Sequence, residues 1–352
     1  MKVLIVYPEV NPNDNPFTRT LVKGLRDLGC DVNWGRKEFW NNWAHYDIIN
    51  FHWPDAMFDK MPPSDSDFEL LEKHIQVIKR TCKIIYTRHN EMPHYTTDAN
   101  RHKCYKLIEK NADAIIHLGR NEIELYKERL NNSSVKHFFI PHHIYENMYN
   151  NTITIKEARQ KLNIPLDKFV VLTFGEYRDM EEADMVLSEF AKAKIQNKLL
   201  FAPRLMKLLI KHTPKNVFLK WLESKTRTMR LKSQKIKTGI EFVSDDVLEN
   251  YFSAADVVLI QRKHILNSGN VPLAFYFKKP VIGPNVGNIG ELLKHTGNAL
   301  FDPYKKGSLC KAFHEAEKLA ATNLGQNNYD YAVKNMSIAV VAQQYLDVYK
   351  TV

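Results

Sequence analysis

Short runs of aliphatic residues alternate with amphipathic stretches along most of the chain, and this alternation is what most narrows the folds open to it. Residues 2–7 contain Val3-Leu4-Ile5-Val6 and read as a strand. The next segment places Phe17, Leu21, Leu25 and Leu28 at helical spacing, and Gly29 stops that helix. Strand-like runs recur at residues 47–51, 83–87, 114–118 and 136–140. Helix-length segments separate most of them, which implies parallel strands joined by crossover helices.

The pattern restarts after the turn-like break Asn163-Ile164-Pro165-Leu166-Asp167. Residues 169–174 form a fresh buried run, followed by runs at 198–202, 240–243, 257–260 and 280–282. A length of 352 residues suits two domains of roughly 150 each. The expected organisation is α/β, with two doubly wound, Rossmann-like parallel-sheet domains spanning 1–164 and 165–326 and facing a cleft. Residues 327–352 are helical in pattern and are expected to pack back on a domain, the N-terminal one in the organisation adopted. Open parallel sheets bind ligands at the carboxyl ends of their strands, so the loops after the strands are read first.

Composition removes the other classes. A hydrophobic fraction of 44% with 11% aromatics supports a buried core and excludes disordered and collagen-like chains. Cys30, Cys82, Cys104 and Cys310 form no CxxC pair and suit a reducing compartment. Met1-Lys2 leads straight into a strand, no run of about 20 apolar residues is present, and the Asn131-Asn132-Ser133 triplet reads as a chance match to a glycosylation site. A cytoplasmic protein is expected.

The strongest local signal is Asn267-Ser268-Gly269-Asn270-Val271-Pro272-Leu273-Ala274. It follows a strand and opens an apolar segment, with Pro272 suited to a first helical turn. Ser268, Gly269 and Asn270 then stand at a helix N-terminus, where backbone N–H groups and the dipole favour a phosphate. An ordinary Asn/Ser cap beside a glycine accounts for the same residues. Next comes Pro280-Val281-Ile282-Gly283-Pro284-Asn285-Val286-Gly287-Asn288-Ile289-Gly290-Glu291; five of the chain's 13 glycines fall between Gly269 and Gly297. Phe174-Gly175-Glu176-Tyr177-Arg178 directly follows the first strand of the second domain. A guanidinium there matches a diphosphate by paired hydrogen bonds, and a surface ion pair with Asp179 or Glu181 is the plain alternative.

These pieces, with Ala255-Asp256-Val257-Val258-Leu259 and Lys279-Pro280, resemble the nucleotide-sugar-binding half of a GT-B glycosyltransferase of the large family-four-like group. In the first half, His52-Trp53-Pro54-Asp55, Thr87-Arg88-His89-Asn90 with Pro93-His94, and Ile140-Pro141-His142 resemble landmarks of bacterial polysaccharide glycosyltransferases. The resemblance implies an acceptor-binding first domain, a donor-binding second domain and sugar transfer without a required metal. It places Arg178, Ser268, Gly269, Asn270 and Glu291 at the donor diphosphate, and Arg262 among the residues lining the cleft.

Two features depart from the family's pattern. The paired glutamates of many retaining members would fall at Ile265 and Leu273, or at Leu266 and Ala274, and none of these is acidic. Glu181-Glu182 stand where Lys-Gly often follows the arginine. Stereochemical outcome is therefore open. An inverting reaction needs a general base from the first domain, with Asp55, His89 and Glu91 as candidates. Trp53 reads as packing beneath its loop, while Asn15, Phe17 and His142 are cleft-lining candidates, with a plain helix cap as the alternative for the first two. His142-His143 has no metal-site spacing.

The formal net charge of +10 comes from 50 Lys+Arg against 40 Asp+Glu. Residues 204–237 hold 11 basic residues and one acid, Glu223, so the remainder carries 39 of each sign. That segment suits an anionic membrane surface, such as the inner face of the plasma membrane around a polyprenyl-diphosphate-linked acceptor, or is a solvated face. A nucleic-acid-binding protein is the reading from another class, but no helix-turn-helix, RRM or zinc pattern accompanies the charge. A nucleotide-sugar epimerase or phosphorylase of the same architecture is the alternative within catalysis. A dinucleotide dehydrogenase is disfavoured, since no glycine occurs in the loop after the first strand.

Overall fold

The computed structural model describes residues 1–8, 16–58, 62–91, 98–130, 134–211, 233, 235–239 and 243–352. They form two compact units, Met1–Tyr145 with Lys334–Val352, and Glu146–Val333. The expected boundaries at 164/165 and 326/327 thus differ from the observed ones. Residues 146–164 join the second unit because Arg159 pairs with Asp256 at 2.7 Å and donates to Ala254 O at 3.0 Å. Glu249 also accepts from the Ile153 amide at 2.9 Å. The final stretch breaks at Ser337, which caps the helix Ile338–Thr351.

The first unit holds β1 (Lys2–Val6), β2 (Asp31–Trp34), β3 (Ile48–Phe51), β4 (Lys83–Arg88), β5 (Ala114–His117) and β6 (Lys136–Phe139). All are parallel, in the order β2-β1-β3-β4-β5-β6. Successive side chains point to opposite faces. Val3, Ile5, Ile48 and Ile85 pack against Phe17, Leu21 and Leu25 of the helix Pro16–Asp27 and against Val341, Ala342 and Tyr345 of the last helix. Leu4, Val6, Ile49, Ile84 and Tyr86 pack against the helices Asp65–Ile78 and Ala99–Asn111 through Leu71, Ile75, Tyr105 and Ile108. Helices on both faces explain why the strands read as unbroken apolar runs rather than alternating ones.

The second unit contains β7 (Phe169–Leu172), β8 (Lys198–Ala202), β9 (Ile236–Thr238), β10 (Val257–Leu259), β11 (Val281–Pro284) and β12 (Ala299–Phe301). They too are parallel, in the order β12-β11-β10-β7-β8-β9. Val171, Leu200, Val257, Leu259 and Ile282 meet Val186 and Phe190 of the helix Met180–Lys192 and Ala312 and Phe313 of the helix Ser308–Ala320. Of the strand expected at 240–243, residues 240–242 lie outside the described residues, and β9 precedes it.

Among the described residues no helix is long and apolar enough to cross a membrane.

Candidate functional site

In each sheet the chain reverses its direction of strand addition once, and loops leaving at such a point line a ligand-binding crevice. In the second unit the reversal lies between β7 and β10. Gln261, buried just past β10, joins the two loops by donating to Gly175 O at 2.7 Å. On the face of Gly175 that a side chain would cover, Asn270 Nδ2, Gln261 Nε2 and Arg262 Nη2 approach the Cβ position to 3.0, 3.3 and 3.5 Å. Three nitrogen donors therefore converge beside a backbone that has no side chain to shield it.

Buried Glu182 organises the cations. Its Oε2 accepts from Arg262 Nη1 at 2.6 Å and from the Arg178 amide at 2.9 Å. Arg178 Nη1 donates to His264 O at 2.7 Å, so its guanidinium spans the β7 and β10 loops. The ion pairs suggested for Arg178 go elsewhere. Asp179 caps the helix Met180–Lys192, and Glu181 pairs with Lys263.

The helix begun by the Ser268 motif is Asn270–Tyr276, with Gly269 as its N-cap. Its first two amides turn inward, Asn270 N to Ser268 Oγ at 3.3 Å and Val271 N to Ser268 O at 3.2 Å. The donors gathered at Gly175 are thus side chains rather than those two amides. Asn288 holds the loop from behind, donating to Asn267 Oδ1 at 2.8 Å and, through its amide, to Leu266 O at 2.9 Å. Glu291 lies half-buried on the helix Gly287–His295.

The basic segment touches this region at its start. Glu176 pairs with Lys207 at 2.6 Å and Arg204 at 3.3 Å, and the Lys207 hydrogen bond lowers its carboxyl below the usual range. Residues 212–232 and 234, which hold six of the segment's 11 basic residues, lie outside the described residues.

In the first unit the reversal lies between β1 and β3. Phe17, at the start of its helix, is ringed by histidines. Its ring centroid lies 5.7 Å from His52, 4.7 Å from His89, 4.8 Å from His142 and 4.6 Å from His143. His52 Nδ1 and His89 Nε2 are 2.9 Å apart, and Trp53 stacks on His89 at 4.1 Å. Burial pushes the His52 imidazole down to about 3 and depresses His89 and His143 as well. His143 reaches Phe17 O at 3.1 Å and Ile144 O at 2.9 Å, joining the β6 loop to the first helix.

The carboxylate candidates lie differently. Asp55, in the short helix Pro54–Met57, accepts from Tyr105 Oη at 3.2 Å and faces Arg101 at 3.7 Å. Burial raises its carboxyl, which those two partners partly offset. Glu91 is exposed at the end of the His89 segment. Asn15 and His94 lie outside the described residues. Arg88, beside His89 in sequence, is buried in an ion pair with Glu122 and lies over the Tyr126 ring.

The structure thus brings Phe17, His89 and His142 together in one unit, and Arg178, Arg262 and Asn270 in the other. The sequence reading missed His52, Gln261 and Glu182 as functional residues. His52 and Gln261 each had a visible signal, a place directly after a strand-like run, and Glu182 had none that pointed to a site.

Two doubly wound parallel sheets, with the last helix returned to the first, define the GT-B fold. No protein-family model matches the chain, and no curated protein matches it in sequence. Solved structures do. Sucrose-phosphate synthase from Thermosynechococcus elongatus matches at 16% identity and a TM-score of 0.69, over 99% of this chain and 98% of that one. HepE of Anabaena, in complex with UDP-glucose, matches at 13% identity and a TM-score of 0.70 over the whole of both chains. The catalytic domain of starch synthase IV from Arabidopsis thaliana, bound to ADP and acarbose, matches at 8% identity and a TM-score of 0.66, over 99% of each. At such identities the likeness establishes the fold.

Proposed function

We propose that the protein is a glycosyltransferase that moves a sugar from a nucleoside-diphosphate donor to a saccharide or lipid-linked saccharide acceptor. The observation that carries this reading is the convergence of Asn270 Nδ2, Gln261 Nε2 and Arg262 Nη2 on the side of Gly175 where a Cβ would stand, at the sheet's reversal point. An anion is the ligand such a group suits, and Arg178 beside it adds a second guanidinium for a second phosphate. Breaking the bond between sugar and diphosphate puts negative charge on the leaving group. Fixed cations and amides lower the barrier by meeting that charge, and the proposed transfer uses them without requiring a metal. The likeness to structures holding UDP-glucose or ADP supports the donor class.

His89 is proposed to contact the donor sugar. The charge in residues 204–237 suits a polyprenyl-diphosphate-linked acceptor at the inner membrane face. Cosedimentation with anionic vesicles, lost on reversing those charges, tests that part.

The central test is a thermal-shift panel of UDP, GDP, ADP, dTDP and CMP, with EDTA present and absent. A nucleotide at 100 times its Kd adds about 2.7 kcal/mol to folding stability and must raise the melting temperature. Arg178→Ala is expected to weaken diphosphate binding about tenfold or more while leaving the parent nucleoside unaffected. No response to any nucleotide overturns the reading. Formation of an epimeric sugar from the donor without an acceptor transfers it to the epimerase class.

A further inference from the structure

We propose that His52 is a positioning residue: its Nδ1–H donates to His89 Nε2 and so fixes His89 as the neutral, Nδ1-protonated tautomer. The inference rests on the reading of His89 as a sugar-contacting residue.

The two ring nitrogens are 2.9 Å apart, so one proton, and only one, lies between them. The direction follows from the other end of His52. Its ring is wholly buried and stacks almost parallel to Tyr345, with centroids 6.5 Å apart and planes at 12°. Nε2 has no hydrogen-bond partner among the described residues. A proton on Nε2 would be a buried N–H with no acceptor, and such orphaned donors are rarer in folded proteins than under-used acceptors. The proton therefore belongs on Nδ1, directed at His89.

His89 Nε2 then carries a lone pair already engaged by His52, and the proton of neutral His89 is on Nδ1. Trp53 stacks on the ring at 14° and Phe17 meets it edge-on at 85°. These contacts fix the plane of the imidazole but do not tell one nitrogen from the other. His52 makes that distinction. The consequence is chemical: His89 is a donor at Nδ1, with its basic nitrogen occupied, so it serves as a hydrogen-bonding group rather than as the base that deprotonates an acceptor.

Long-range ring correlation NMR on the full-length, histidine-labelled protein tests the tautomers directly, with resonances assigned through His52 and His89 variants. Both imidazoles are expected to be protonated at Nδ1 and bare at Nε2 between pH 8 and 6. A proton on His89 Nε2 overturns the proposal. In a second measurement, hydrolysis of the donor, in which water takes the sugar, is followed by release of nucleoside diphosphate from UDP-glucose, ADP-glucose and GDP-mannose in turn. His52→Phe keeps an aromatic ring but removes the donor. It is expected to lower kcat about tenfold, the worth of one hydrogen bond, with diphosphate affinity unchanged. His52→Asn restores an N–H near the Nδ1 position and is expected to recover most of that loss. Equal losses in the two variants, in step with melting temperature, would show that His52 only fills space. His89→Ala separates the two ideas. Full turnover in that variant removes the reading of His89, whereas the NMR result stands or falls by itself.

Discussion

Asn50 Nδ2 donates to Tyr349 Oη at 2.8 Å, binding β3 to the last helix across 299 residues of sequence. Asn50 Oδ1 in turn accepts from Thr87 Oγ1 at 3.1 Å, and Thr87 accepts from Tyr345 Oη at 3.3 Å. All four side chains are buried, so each depends on the others for its hydrogen bonds. Tyr349→Phe strands the Asn50 amide and is expected to cost about 1–3 kcal/mol in denaturant unfolding. Tyr345→Phe removes only the terminal donor, at about 1 kcal/mol or less. Equal losses would mean that the chain of bonds is not the support described.

Gly175 tests the donor cluster without removing any donor. An alanine Cβ there meets Asn270 Nδ2 at 3.0 Å and Gln261 Nε2 at 3.3 Å, pressing both out of their places. Affinity for the nucleoside diphosphate that gives the largest thermal shift is expected to fall about tenfold by calorimetry. The melting temperature of the free protein should move by only a few degrees, since the contacts are with side-chain ends. Unchanged affinity would place the diphosphate elsewhere.

Gly287 presents the opposite case, because its obstacle is backbone. Its φ is +56°, and an added Cβ would lie 2.4 Å from Ile265 O and 2.8 Å from Leu266 O. Gly287→Ala combines backbone strain with a clash and is expected to cost about 2–4 kcal/mol. It should also displace the loop that carries Asn267 and Ser268, so nucleotide affinity falls along with stability. A stable variant with normal affinity would contradict the packing of that loop.

Acid should destabilise the first unit. Burial holds His52 and His117 down to about 3, well below the ordinary histidine value of 6.5. Below pH about 6.5 the unfolded chain takes up protons that the folded one refuses, so their stability contribution is complete above that pH and is lost as pH falls toward 3. Each group adds a slope of up to about 1.4 kcal/mol per pH unit. Melting temperatures at pH 8, 6 and 5 should drop between the last two, and His117→Gln should flatten the decline. A profile flat from pH 8 to 5 would show that these rings protonate in the fold.

Much of the architecture was legible because a strand covered on both faces must be apolar throughout, as in Val3-Leu4-Ile5-Val6 and Phe169-Val170-Val171-Leu172. β2 escaped notice for the converse reason. It is a sheet edge, Asp31-Val32-Asn33-Trp34, with only Val32 buried. β9 and β12 are edges as well, and in β9 only Ile236 is buried. Arg178 and Asn270 could be found because they adjoin glycine-marked loops. Gln261 and Glu182 could not, since their importance lies in bonds to Gly175 and Arg262, 86 and 80 residues away. The boundary at 145/146 was hidden likewise: nothing near Asn163-Ile164-Pro165 reveals that Arg159 finds Asp256.

The return of the last helix to the first sheet sets an order of events during synthesis. Residues 146–333 are continuous, so the second unit can close its sheet once they have left the ribosome. The first unit is translated earlier but must wait, since Asn50, Thr87 and the Gly24 side of the first helix lack their partners Tyr349, Tyr345 and Ala342 until the last helix arrives. The half that emerges first is completed last. Throughout the making of the second unit, one side of the first sheet lacks the last helix that completes its cover.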